Sequence, residues 1–135
     1  MLQVRKKMNF DNAIKRFDQL KANSRKDTVK VLDLSDLQLK EFPELVFQFP
    51  NVTKLDISNN QILKIPKELA DFDSLKVLIW TNSDFEKTEF DGNQLVKKIK
   101  IPKKTSIEKL YFSDNQLVAI PKAIKKLKRL DVLDI

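Results

Sequence analysis

The chain has 135 residues, with 26 Lys and Arg against 19 Asp and Glu, a formal charge of +7, and neither cysteine nor histidine. Those absences exclude a disulfide framework, thiolate and common zinc sites, and Ser/His/Asp or Cys/His catalysis. The single glycine, Gly92, excludes the glycine-rich loops that cradle phosphates. The length fits one domain large enough to bury a core. Its start, MLQVRKKMNF, has no apolar run of the signal-peptide kind. No stretch approaches the ~18 uninterrupted apolar residues of a membrane span, so a cytoplasmic protein is expected.

The first expected element is an amphipathic helix, with Phe10, Ile14, Phe17 and Leu20 on one stripe. Asn9 or Asp11 can cap its start, and Asn23 and Ser24 can end it. Residues 1–28 are therefore expected to form an N-terminal helical cap over whatever follows. A partner-binding helix is the alternative.

From Val29 onward the chain copies itself. Residues 52–74 and 107–129 are identical at Lys54/Lys109, Leu55/Leu110, Ser58/Ser113, Asn60/Asn115, Gln61/Gln116, Ile65/Ile120, Pro66/Pro121 and Lys67/Lys122. Residues 29–51 fit the same frame, L-x-x-L-x-L-x-x-N-x-L-x-x-L-P. In each repeat L-x-x-L-x-L reads as a short strand with its leucines inward and the intervening residues outward. Strands centred on Leu32, Leu55, Leu78, Leu110 and Leu133 should stack in parallel. Asn60 and Asn115 stand where the chain leaves the strand, and their amides can bond turn groups as a structural ladder. Leu37 and Ser83 hold the equivalent places without an amide, so the ladder is expected to weaken there. Pro43, Pro66 and Pro121 force extended backbone before returning segments at 44–49, 67–72 and 122–127.

The third repeat is irregular: its strand at Leu75, Leu78 and Trp80 is followed by the next only at Ile107. Residues 84–106 read as a hairpin around Gly92, as a degenerate repeat in which FDGNQLV echoes FSDNQLV, or as a plain loop. The organisation is thus 1–28 cap, then repeats at 29–51, 52–74, 75–106 with the insertion, 107–129, and a partial one at 130–135. The strand pattern of the last is uncovered, which raises self-association through that edge.

The frame resembles the leucine-rich repeat family, specifically its cytoplasmic Ras-group-like branch with 23-residue Leu-Pro repeats. The resemblance covers residues 29–135. It implies an α/β right-handed solenoid, a horseshoe segment with a parallel concave sheet. It also implies a non-enzymatic protein-interaction scaffold without a cofactor, whose partner the motif does not identify.

Outward places give the candidate binding face: Asp33, Asp56, Ile79, Tyr111 and Asp134 at the fifth position, and Lys54 and Lys109 at the third. Val31, Val77 and Val132 share the third position, and the seventh and eighth add Ser35, Asp36, Ser58, Asn59, Thr81, Asn82, Ser113 and Asp114. Ile79 and Tyr111 form an apolar centre between acids, as in a hot spot with a polar rim. The plainer reading is strand propensity and mutual packing. Trp80 sits at an inward place and belongs to the core. The alternative function is electrostatic binding of nucleic acid or an anionic surface. It would use the Lys-rich segments 97–104 (Lys97, Lys98, Lys100, Lys103, Lys104) and 122–129. No aromatic interleaves the first of these for base stacking, which argues against nucleic acid.

Overall fold

The computed structural model describes residues 15–16, 18–19, 25–82, 101–102, 104–115 and 120–135. The repeat's period-two leucines become five short strands: β1 (Val31–Asp33), β2 (Lys54–Asp56), β3 (Val77–Ile79), β4 (Lys109–Tyr111) and β5 (Val132–Asp134). They form one sheet in chain order, parallel at every pair. Leu32, Leu55, Leu78, Leu110 and Leu133 lie side by side across it. The first four are fully buried, whereas Leu133 in the last strand is half-buried. Outward neighbours such as Val31, 54% exposed, face solvent.

The opposite wall of each coil is a return segment. Pro43, Pro66 and Pro121 hold extended backbone, and 3-10 helices Glu44–Gln48 and Lys67–Asp71 and a short α-helix, Lys122–Lys125, follow them. Each sends one residue into the interior: Val46, Leu69 and Ile124. Between the sheet and these returns lie Leu34, Ile57, Trp80 and Phe112, all buried. Trp80 and Phe112 meet edge-on at 4.9 Å, and the Trp80 indole N–H donates to the Ile62 carbonyl at 3.1 Å. Trp80 is therefore core, with its one polar atom satisfied. The result is a solenoid with a single continuous core, the architecture that the resemblance implies.

The turns out of the strands depend on two adjacent places. At the eighth, Asp36, Asn59, Asn82 and Asp114 have φ between 48° and 59°, the left-handed region that Asn and Asp tolerate better than other non-glycine residues. At the ninth, Asn60 accepts from the Leu37 and Leu39 N–H groups and donates to the Leu34, Ile57 and Ser58 carbonyls. It closes the turn of the preceding coil as well as its own. Asn115 likewise reaches back to the Trp80 carbonyl and to that of Phe112. Leu37 supplies no side-chain bond of this kind, but its turn is closed from the second coil by Asn60, and Leu37 is buried.

A second set of bonds, unforeseen from the repeat frame, precedes β3 and β4. Ser74 Oγ donates to the Val52 carbonyl, and buried Ser106 Oγ donates to the Phe72 and Leu75 carbonyls. These hydroxyls tie the third coil to the second and the fourth to the third, on the side opposite the asparagines.

The irregular repeat leaves the sheet unbroken, because β3 pairs directly with β4, Leu78 beside Leu110. A degenerate repeat contributing its own strand would have to separate them, so that reading fails. Ser83 and Gly92 lie outside the described residues. Of the expected N-terminal helix, Lys15, Arg16, Asp18 and Gln19 are helical, while Phe10, Ile14, Phe17 and Leu20 lie outside the described residues.

Candidate functional site

The strands determine which side chains share the outer face of the sheet. Register places Lys54 beside Val77 and Val77 beside Lys109, and in the next row Asp56, Ile79, Tyr111 and Asp134 in sequence. Neighbouring strands stand ~4.8 Å apart, so each row forms a contiguous line of side chains. A groove of about 430 Å³ lies over the middle of the sheet, lined by Lys54, Ile79, Lys109, Tyr111 and Asp134, with Val77 and Thr81. Five of the seven expected face residues thus come together. Val77, Ile79 and Tyr111 are half-buried and form its floor, with Lys54 and Lys109 exposed on one side and Asp134 at the end.

Asp33 and Asp56 are not in this groove. They stand side by side in register, as expected, but each carboxylate is used within its own turn. Asp33 Oδ1 accepts from the Ser35 hydroxyl at 2.6 Å and the Ser35 N–H at 3.0 Å, and Asp56 Oδ1 accepts from the Ser58 N–H at 2.9 Å. The Ser35 hydroxyl holds the Asp33 carboxyl below its ordinary value of 3.8. The Ser35 N–H and the Arg16 charge act in the same direction, and partial burial opposes them. Arg16 also donates to the Asp33 and Ser35 carbonyls at 2.7 and 3.4 Å, taking up two groups on the outer edge of β1. No group of three or more potential metal-ligating side chains occurs among the described residues.

Ser58, expected on the outer face, is buried. Its oxygen accepts from the Thr81 hydroxyl and N–H at 3.0 and 3.1 Å. Asn82 donates to Asn59 at 2.6 Å, so these seventh and eighth places bond coil to coil. The structural asparagines, Asn60 and Asn115, are buried as expected.

Of the lysines proposed for anion binding, Lys104 is described and exposed, while Lys97, Lys98, Lys100 and Lys103 lie outside the described residues. Lys104 joins Lys125, Lys126, Lys128 and Arg129 around a second cleft of about 650 Å³. No helix among the described residues is long and apolar enough to cross a membrane.

Comparison with known proteins accords with this geometry. The Leucine Rich Repeat family model matches residues 51–72. The plant intracellular Ras-group-related LRR protein 8 of Oryza sativa subsp. japonica is 34% identical over 106 residues, 78% of this chain and 26% of that protein. A volume-regulated anion channel subunit of Rattus norvegicus is 31% identical over 116 residues, 78% of this chain and 12% of its own length. A solved leucine-rich repeat protein of Leptospira interrogans superposes with a TM-score of 0.57 at 27% identity, covering 85% of this chain and 27% of the other. The chain therefore spans about a quarter or less of the length of these relatives.

Proposed function

Since the chain belongs to the leucine-rich repeat family, of the Ras-group-like kind, we propose that it is a non-enzymatic scaffold gripping a protein partner on the outer face of its sheet. Solenoids of this family generally mediate protein–protein contacts through such extended surfaces. The observation that carries the reading is the half-buried floor of Val77, Ile79 and Tyr111 between Lys54, Lys109 and Asp134. A desolvatable apolar centre inside a charged rim has the anatomy of an interface hot spot. The two lysines on one side favour a segment with an apolar anchor side chain and an acidic residue close to it. Asp33 and Asp56, committed to their own turns, contribute charge at the margin of this surface. Cytoplasmic residence belongs to the same proposal, supported by the cysteine-free composition and by the relative whose name describes it as intracellular.

The test is selection of a displayed peptide library against the wild type, with Ile79→Ala/Tyr111→Ala as counter-selection. Enriched peptides should carry an aromatic or aliphatic anchor beside Asp or Glu and lose binding to the double variant. The variant's melting temperature should stay close to wild type, because both side chains are only half-buried. Enrichment that survives in the double variant would move the site elsewhere.

A further inference from the structure

The second cleft is independent of the sheet face. It runs along the edge of the stack where three successive coils lead into β3, β4 and β5, so segments far apart in sequence meet there. Lys104 comes from the approach to β4, and Lys125, Lys126, Lys128 and Arg129 from the approach to β5; Asp73, before β3, is the lone acid. Among the described residues the ion pairs are Arg16–Asp33 and Arg25–Asp27, so none of the five cations is neutralised by a carboxylate. Like charges that outnumber their counter-charge repel one another, and an anion bound between them would relieve that repulsion.

A second observation points the same way. Thr105 lines this cleft, is 8% exposed, and its hydroxyl has no hydrogen-bond partner among the described residues. Its neighbour Ser106, also buried, already donates to the Phe72 and Leu75 carbonyls. A buried polar group left unpaired calls for a specific reason, and a ligand oxygen at the cleft floor supplies one.

We propose that this cleft binds a compact anion bearing two or three clustered phosphate monoesters, of the kind carried by a phosphorylated inositol ring. Five cations less Asp73 leave +4 around the cleft. A phosphate monoester carries roughly −1.5 to −2 at neutral pH, so two or three balance that charge. Arg129 offers a planar fork for two phosphate oxygens, the lysines act as point charges, and Thr105 donates one hydrogen bond. Nucleic acid fits less well, because no aromatic side chain lines the cleft to stack a base.

The experiment is calorimetric titration of the full chain with inositol 1,4,5-trisphosphate. In parallel, it is co-sedimented with phosphatidylcholine vesicles with and without phosphatidylinositol 4,5-bisphosphate. Binding to the soluble probe alone identifies a free ligand, and binding to the phosphoinositide vesicles identifies a lipid headgroup; either supports the proposal. Affinity should fall steeply with added salt, drop at least about tenfold in Lys125→Gln/Arg129→Gln, and drop measurably in Thr105→Val. Ile79→Ala/Tyr111→Ala should bind the probes as the wild type does, which separates this site from the sheet face. Unliganded melting temperatures show whether each variant is folded. The proposal is overturned if neither probe binds or if folded Lys125→Gln/Arg129→Gln binds unchanged. Tighter binding of single-stranded RNA or a poly-glutamate peptide would overturn it as well.

Discussion

At the residue scale, Asn60 has five hydrogen-bonding contacts to backbone groups of two coils, three as donor and two as acceptor. A carboxamide supplies two donor hydrogens and an acceptor oxygen in one planar group. Asn60→Ala should cost about 1–3 kcal/mol by chemical denaturation, since buried backbone groups lose their partners. Asn60→Asp keeps the acceptors but loses the donors, and it should also destabilise; a neutral result would show that water replaces the amide. Asp33 makes a second case. Its carboxyl is held below 3.8, chiefly by the Ser35 hydroxyl. A carboxylate with a depressed native pKa stabilises the fold above its unfolded pKa, and that contribution is lost as pH falls through the native value. The Asp33 carboxyl carbon should accordingly titrate by NMR below the ordinary range, and Ser35→Ala should move its midpoint upward. An unchanged midpoint in Ser35→Ala would leave the hydroxyl without the effect assigned to it.

At the scale of the element, each strand is only three residues long and could not persist alone. Its stability comes from the column of side chains it adds to the stack. Leu55 and Leu110 lie in β2 and β4, with a strand on each side, and are fully buried. Leu55→Ala or Leu110→Ala should cost ~2–5 kcal/mol, whereas Leu133→Ala in half-buried β5 should cost clearly less. Equal losses at Leu55 and Leu133 would mean that the terminal strand is covered as well as the central ones.

For the whole molecule, the two edges of the sheet differ. On β1, Arg16 occupies two outer carbonyls, whereas no described strand lies beyond β5 and Ile135 is 51% exposed.

Much of this was legible in the residues because repetition multiplies a weak local signal. One L-x-x-L-x-L is ambiguous, but repeated in register it specified the strands, their inward leucines, the core position of Trp80 and the returns after Pro43, Pro66 and Pro121. The asparagines could be placed but not their reach, because the bond from Asn60 to Leu37 joins different coils and no single repeat contains it. The same holds for Ser58, whose burial depends on Thr81 of the next coil, and for the continuity of the sheet across the irregular repeat. The outward row of the face followed from the period of two, yet which of its members line one groove depended on register and on carboxylates already used in turns. The two basic segments were legible in the sequence, but their meeting in one cleft was not: stacking brings Lys104 beside Lys125, Lys126, Lys128 and Arg129 and leaves Thr105 buried among them. Periodicity therefore determines what lies inside a coil, whereas contacts between coils decide which polar groups are satisfied and which are left for a ligand.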